Sequence, residues 1–185
     1  GGTIRNSNAT TATLYVGGGV AGSSSGTYNG LIENGTGVLN VTKEGTGTQT
    51  LTGINTYTGA STVNNGVLQA GASSAFGTGI VAIANANGTL DLNGQNIANT
   101  VNISAAGKLI NSSVMAAELT ANANVTSGFT VETTGNITIP RLIATGAPRT
   151  VTKIGTATLT TNGNNHNNLT AWDIQAGTVV FANTA

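Results

Sequence analysis

The feature that most constrains the fold of this chain is a series of very short apolar segments, separated by glycine, threonine, asparagine and serine. The clearest example lies in residues 37–71, which contain such segments at 38–41, 50–52, 61–63 and 66–68. Segments of this length cannot each close a hydrophobic core, but many of them can if they stack on one another. The pattern therefore predicts an elongated stack of short strands.

The same rhythm continues along the rest of the chain. Further strand-like segments lie at residues 12–16, 80–83, 89–92, 101–103, 108–110, 129–131 and 137–139. Alternating inward and outward side chains are typical of a half-buried strand, and the intervening glycines suit tight corners. Pro140 and Pro148 flank two of these segments. Because proline cannot donate to a β-ladder, both are predicted at corners or strand ends.

One segment allows a different interpretation. Residues 114–120, with the sequence VMAAELT, could form one or two turns of helix. Strand-like segments on both sides favour a strand instead. We therefore predict an all-β chain, with a short helical turn at this place as the alternative.

The composition indicates a fold with a narrow interior. Only 6% of the residues are charged and 4% are aromatic, while 27 of the 185 are glycine. Mean hydropathy is nonetheless +0.10, which argues against disorder. Strand spacings of roughly 8–12 residues also fit a sandwich or a barrel. The small aliphatic residues of each segment favour a β-solenoid, which is the predicted fold class.

The chain contains an internal repeat. The tripeptide Val-Thr-Lys that ends at Lys153 corresponds to the one that ends at Lys43, 110 positions earlier. An interval this long fits several coils per repeat. We therefore predict one β-helical segment over residues 1–185, part of a longer stacked array, with repeat-like blocks at 37–71 and 148–181.

The distribution of charge and cysteine excludes several functions. Six basic and six acidic residues are scattered, so no basic stripe is present to neutralise a nucleic-acid backbone. The absence of cysteine removes disulfides and thiolate metal sites. No stretch approaches the roughly 20 apolar residues of a membrane-spanning helix, so no membrane span is predicted in this segment. The chain lacks a Met start and a charged-then-apolar leader, which we interpret as a mature or excised piece.

No residue pattern indicates catalysis or metal binding. His166 is the only histidine and lies in an Asn-rich run, which is typical of a solvated loop. Asp91 and Asp173, the only aspartates, lie 82 positions apart. Folding could bring Asp91 near Glu118 or Glu132, but their spacing does not predict it. Since no nucleophile elbow and no calcium-binding nonapeptide occur, we predict no catalytic, cofactor-binding or metal-binding residues, no cofactor and no enzymatic activity.

The aromatic residues allow two interpretations. The chain has one tryptophan and three tyrosines, namely Trp172, Tyr15, Tyr28 and Tyr57. Together they could form a platform on which sugars stack. The preferred interpretation is that Tyr57 fixes a corner and that Trp172 shields a coil.

Asparagine and threonine are abundant enough to suggest a structural role. At equivalent positions of stacked coils they could form ladders of side-chain hydrogen bonds, as in cross-β stacks. The same abundance creates Asn-x-Ser/Thr sequons, most of which arise by chance and matter only where a glycosylation system is present. These sequons begin at Asn8, Asn34, Asn40, Asn87, Asn102, Asn111, Asn124, Asn136 and Asn168.

Part of the first block resembles a known repeat. Its motifs are Thr-Lys-Glu-Gly-Thr-Gly at 42–47, Asn-Thr-Tyr-Thr-Gly at 55–59 and Gly-Val-Leu at 66–68. Together they resemble the autotransporter-associated β-strand repeat. The second block departs from this pattern, since His-Asn-Asn-Leu at 166–169 stands where Asn-Thr-Tyr-Thr-Gly is expected.

The resemblance implies a right-handed parallel β-helix of the kind that forms secreted, surface-exposed stalks of Gram-negative bacteria. It also implies that such repeats assist passenger folding and export through the outer membrane. The family has no catalytic residues to carry over to this chain.

The predicted function is an extracellular structural stalk or filament-forming β-solenoid on the bacterial surface, with adhesion as an additional role. Strand-like ends, at residues 2–4 and 179–181, predict end-to-end self-association by coil stacking. Surface glycans are the second class of partner considered. A carbohydrate-binding or polysaccharide-degrading β-helix is the alternative function, and a passenger fragment that only drives export folding is a third.

Overall fold

The computed structural model describes residues 1–18, 24–162 and 169–182. These residues form 22 β-strands and no helix, arranged as a parallel β-solenoid of about seven turns. In chain order the strands are β1 Thr3–Asn6, β2 Ala12–Val16, β3 Gly26–Tyr28, β4 Leu31–Asn34, β5 Leu39–Lys43, β6 Thr48–Leu51, β7 Ser61–Val63, β8 Gly66–Ala70, β9 Val81–Ile83, β10 Gly88–Asp91, β11 Asn96–Ile97, β12 Val101–Ile103, β13 Lys108–Asn111, β14 Ala117–Leu119, β15 Ala123–Val125, β16 Phe129–Thr133, β17 Ile137–Ile139, β18 Leu142–Ala144, β19 Arg149–Ile154, β20 Thr158–Asn162, β21 Leu169–Ile174 and β22 Thr178–Ala182.

The strands form three faces that follow one another around each coil. The first face comprises the pair β1-β4 and the five-stranded sheet β11-β14-β17-β20-β22. The second face is the seven-stranded sheet β18-β15-β12-β9-β7-β5-β2, and the third is the eight-stranded sheet β21-β19-β16-β13-β10-β8-β6-β3. Parallel neighbours need a long connection between them. In a solenoid, the rest of the coil is that connection.

Successive coils stack in register. On the second face Val41 pairs with Ser61, Ser61 with Val81, and Val81 with Val101, each residue 20 positions after the one before. Neighbouring strands of a sheet lie about 4.7–4.9 Å apart. Equivalent residues of successive coils therefore form straight columns parallel to the solenoid axis.

The core consists of such columns. Buried and half-buried residues alternate along β5 and β16, because alternate side chains of a strand point to opposite faces. One inward column on the second face contains the buried residues Val63, Ile83, Ile103 and Val125. Burying one aliphatic side chain of this size stabilises the fold by about 1.5–3 kcal/mol. A narrow coil interior thus replaces the large core of a globular domain.

The structure confirms the predicted β-solenoid and decides between the alternatives. A sandwich or an up-and-down barrel is wrong, because the sheets described above are built from parallel ladders. The helical alternative at 114–120 is also wrong, since β14 lies in this segment and pairs with β11 and β17. Pro140 directly follows β17 and Pro148 directly precedes β19, as predicted. The ranges that the structure describes contain no helix with the length and apolarity needed to cross a bilayer.

Candidate functional site

The most unusual residue of the first repeat-like block is Lys43, which is fully buried. It lies at the end of β5 and occupies the inward column that continues with Val63 on the next coil. Its Nζ donates hydrogen bonds to the carbonyl oxygens of Gly45 at 2.7 Å and Asn65 at 3.2 Å, and also to that of Glu44. The ammonium group therefore joins its own corner to the following coil.

Burial changes the chemistry of this amine. Removal from water lowers the pKa of Lys43 from its ordinary value, and the nearby Glu44 carboxylate opposes that shift. Hydrogen bonds from a charged donor are about twice as strong as neutral ones. Three carbonyl acceptors therefore compensate for much of the cost of removing the ammonium from water.

Glycine makes the close approach of the two coils possible at this corner. Gly45 and Gly66 both have positive φ angles, of 67° and 63°. A Cβ atom on Gly66 would lie 2.4 Å from the Gly45 oxygen and 2.5 Å from the Gly47 oxygen. Only glycine fits there, because both the backbone angle and the space exclude a side chain.

Asparagine side chains join coils at other corners. The buried Asn55 accepts a hydrogen bond from the Ile32 N–H through Oδ1 at 2.8 Å, and its Nδ2 donates to the Ala75 oxygen at 2.6 Å. Ile32 belongs to the preceding coil and Ala75 to the following one. The amide of Asn55 thus satisfies one backbone group of each neighbouring coil.

Asn111 has the same role further along the solenoid. Its Oδ1 accepts from the Gly94 N–H at 2.9 Å, and its Nδ2 donates to the Met115 and Asn136 oxygens at 2.7 and 3.1 Å. The Asn99 Nδ2 similarly donates to the oxygens of Gly77 and Gly79. The asparagines therefore join successive coils through hydrogen bonds to the backbone more often than through the side-chain ladders that the sequence predicted.

Side-chain ladders are nonetheless present on two faces. On the second face, Asn124 Nδ2 donates to Asn102 Oδ1 at 2.8 Å, and the two residues are register partners. On the third face, Thr50 donates to Gln69 and Gln69 donates to Asp91, at 2.7 and 2.8 Å. The Asn102–Asn124 pair is an example of the predicted ladders of identical residues, whereas the ladder on the third face joins three different residue types.

Tyr57 is a core residue. It is fully buried, and its hydroxyl lies 2.6 Å from Ser61 Oγ, whose hydroxyl in turn contacts the Phe76 oxygen at 3.4 Å. Burial raises the pKa of the Tyr57 phenol, and the hydrogen bond with Ser61 opposes that shift. The interpretation of Tyr57 as a corner-fixing residue is therefore confirmed.

The other aromatic residues do not form a shared platform. The rings of Trp172 and Phe181 pack edge to face on the last described coil, with centroids 5.1 Å apart and an interplanar angle of 81°. Tyr15 and Tyr28 lie on β2 and β3, at the opposite end of the second and third faces. The platform of four aromatic residues is therefore wrong. Trp172 is partly buried and packs against the core, which agrees with the predicted shielding role.

The acidic residues do not form a catalytic pair. Asp91 is buried, and its carboxylate accepts hydrogen bonds from Gln69 Nε2, Ser112 Oγ and the backbone of Ser112 and Asn93. Glu132 lies two coils away in the same row, with Ile110 between them. The saturated carboxylate of Asp91 is therefore a structural group.

The remaining acids are separate from one another. Glu132 forms an exposed ion pair with Lys108 at 3.4 Å, and Glu118 lies on β14 of the first face. Asp173 accepts a hydrogen bond from Gln175 on the last coil. The described ranges contain no group of three or more potential metal ligands. His166, together with Asn168, lies outside the described residues.

The sequons differ in what their asparagines contact. The Asn111 amide is buried and bonded on both sides, while Asn8 and Asn87 are exposed. Asn34 and Asn136 accept hydrogen bonds from backbone N–H groups of other coils. Most of these asparagines therefore already have a structural function.

Buried lysine was not predicted from the sequence, although a signal for it exists. Lys43 follows Val41 by two positions in a strand, so both side chains point to the same, inward face. Lys153 has the same relation to Val151. Strand parity, which is more informative here than charge, would have placed both lysines in the core.

The geometry defines a class of protein: a parallel β-solenoid whose buried polar groups hold successive coils together. Among known families, the passenger-associated-transport-repeat matches residues 41–70. This range includes Lys43, Asn55, Tyr57 and Gly66. Residues 41–70 are thus similar to an autotransporter passenger repeat, in agreement with the resemblance in the sequence.

The chain is also similar to an adhesin. It is 46% identical over 69 residues to the Adhesin BmaC autotransporter of Brucella suis biovar 1 (strain 1330). The match covers 37% of this chain but only 2% of the adhesin, so the chain spans a very small part of its relative. No solved structure matches the chain.

Proposed function

We propose that this chain is a piece of a bacterial surface passenger whose β-solenoid serves as an extracellular structural stalk. The observation that carries the proposal is the third face, a ladder of eight parallel strands from β3 to β21. Buried polar groups next to this face, such as Lys43 at the end of β5 and Asp91 at the end of β10, bond to neighbouring coils. Similarity to an adhesin supports a surface location, and adhesion is an additional proposed role.

The last described coil has the features of a stacking surface. Ile174 and Phe181 are 49% and 52% exposed, although they continue the inward columns of Lys153 and Thr161. β21 and β22 lie at the outer edges of their sheets in the part of the chain that the structure describes. Such edges accept a further strand, and apolar inward side chains are covered when one stacks.

We extend the proposal to end-to-end association. At the other end, β1, β2 and β3 present the opposite edges of their sheets, and the side chains of Ile4, Leu14 and Val16 are only partly buried. The two ends differ, so contact between two copies is heterologous and can continue as a filament. In a longer chain, the same surfaces stack on covalently linked coils.

Sedimentation velocity over a range of concentrations tests this proposal. The chain is expected to form linear oligomers, and Phe181→Asp is expected to reduce them, because a charge in the inward column cannot be covered by a next coil. Val114→Asp is the matched control, since Val114 is 81% exposed at a side corner. A monomer at every concentration, or association that only the Val114 variant reduces, would contradict end-to-end stacking. Circular dichroism checks that both variants keep their β-structure.

A further inference from the structure

The second repeat-like block folds into a corner with the same contacts around Lys153. This lysine is fully buried and is the penultimate residue of β19. Its Nζ donates to the oxygens of Ile154 at 2.9 Å, Gly155 at 2.7 Å and Ala176 at 3.1 Å. As with Lys43, two acceptors lie one and two residues downstream and the third lies on the following coil.

The glycines of the two corners also correspond. Gly155 and Gly177 have φ angles of 79° and 73°, close to those of Gly45 and Gly66. A Cβ atom on Gly177 would lie 2.5 Å from the Gly155 oxygen and 2.8 Å from Lys153 Nζ. The second corner thus requires glycine for the same two reasons as the first.

The surroundings of the two lysines differ. Lys43 lies on the second face, in a column with Val63, whereas Lys153 lies on the third face, in a column with Val131. The second block is therefore displaced by one face relative to the first. The carbonyl acceptors occupy corresponding positions around the two lysines, although the lysines lie on different faces. The element that the two blocks share is therefore the corner.

We propose that residues 151–162 and 169–179, which lie in the predicted block 148–181 and outside the family match at 41–70, belong to a second repeat unit of the same type. We further propose that each unit joins successive coils through an ammonium-binding cradle, which consists of three backbone carbonyls that accept hydrogen bonds from the lysine. The cradle is complete only when two successive coils are stacked, because one carbonyl comes from the following coil. Binding of the lysine ammonium then holds these two coils together.

Chemical rescue tests the cradle directly. Lys43→Ala and Lys153→Ala each remove the three outer methylenes and the ammonium, so n-propylammonium has the size and charge to replace what is lost. A ligand that binds only the folded state raises the melting temperature by mass action. Both variants are expected to melt below the wild type and to recover part of the loss in n-propylammonium chloride at neutral pH.

The controls separate ammonium binding from filling of a void. n-Propanol has the same length without charge, and tetramethylammonium chloride has the charge without N–H donors. Neither is expected to restore the melting temperature. Lys108→Ala is the matched variant, because Lys108 is exposed and pairs only with Glu132 in the described structure. It is expected to melt near the wild type and to show no rescue.

Each result decides the proposal. Equal recovery in n-propanol would show that the lysines act as aliphatic filler, and absence of recovery in both variants would overturn the cradle. Rescue of Lys43→Ala without rescue of Lys153→Ala would show that the corner at Lys153 does not belong to a second unit of this type. If an alanine variant does not fold in buffer, the fraction refolded in each additive replaces the melting temperature.

Amine-reactive labelling of the intact wild type provides an independent readout. Among these three lysines, Lys108 is expected to react first, and Lys43 and Lys153 are expected to be similarly protected.

Discussion

Asp91 illustrates how single residues support the stacking of coils. Its buried carboxylate accepts hydrogen bonds from Gln69 and Ser112 on the two flanking coils, and no ion pair of the described ranges includes it. A buried charge is costly unless hydrogen bonds compensate for the lost water. A residue type that often suggests catalysis therefore has a structural function here, which is to join three coils.

The phenol of Tyr57 provides a pH-dependent test at the residue scale. Burial raises its pKa above the ordinary value of 10.0. The contribution of Tyr57 to stability is therefore complete below pH 10 and is lost as pH rises above 10 through the folded-state pKa. The free energy of unfolding of the wild type is expected to fall over this interval more than that of Tyr57→Phe, which cannot ionise. Urea unfolding in buffers on both sides of pH 10 measures the difference.

The control for this test is Tyr15→Phe. Tyr15 is 67% exposed, so its variant is expected to follow the wild type at every pH. Below pH 10, Tyr57→Phe is expected to be less stable by about 0.5–1.5 kcal/mol, because it lacks the hydroxyl contact with Ser61. Parallel curves for wild type and Tyr57→Phe across pH 10 would show that the phenol does not resist ionisation.

The burial of the two lysines marks the limit of sequence reasoning at this scale. Parity along the strand predicts that Lys43 and Val41 share a face, but it does not identify the acceptors of a buried ammonium. Asn65 and Ala176 become acceptors only because the coils have a particular register. That register depends on corner lengths, for which the sequence has no periodic signal.

At the element scale, the corners are the least tolerant parts of the solenoid. Gly66→Ala is expected to reduce the free energy of unfolding by about 2 kcal/mol or more, because alanine is strained at positive φ. Its Cβ would also contact the backbone oxygens of Gly45 and Gly47. Chemical unfolding is the measurement. Gly2→Ala is the control, since nothing lies within 4 Å of a Cβ there, and a loss as large in that variant would refute the corner argument.

The strands themselves were largely predictable, but the length of each coil was not. Val81 and Val101 are 20 positions apart, whereas their next partner, Ala123, follows after 22. The additional residues lie in corners, where glycine, serine and asparagine are common throughout. For the same reason residues 114–120 were ambiguous: β14 is only three residues long and depends on neighbours that are distant in sequence.

For the whole molecule, stability is approximately the sum of contacts between adjacent coils. Each strand of the second face pairs only with the strands of the coils before and after it. Solenoids of this kind behave as one-dimensional arrays, in which repeat units and their interfaces contribute separately. Complete coils can therefore be removed, provided that the columns on both sides still meet in register.

Deletion of residues 81–100 is expected to leave a shorter, folded solenoid. Ser61 pairs with Val81 and Val81 pairs with Val101, so the deletion brings Val101 opposite Ser61. On the third face Val67 meets Lys108 in the same way, because Thr89 lies between them in the intact chain. Circular dichroism is expected to show β-structure and a cooperative transition at a somewhat lower melting temperature.

Deletion of residues 81–90 is the matched control, because it removes half as many residues from the same place. It deletes β9 and most of β10 but keeps the part of the coil that lies on the first face. The inward-facing residues of the later coils therefore no longer lie opposite the inward-facing residues of the earlier ones. Apolar side chains of later coils then face water, and cooperative folding is expected to be lost. Similar melting curves for the two deletions would mean that the coil is not the unit of stability. Folding of the short deletion alone would mean that register across the second face does not control stacking.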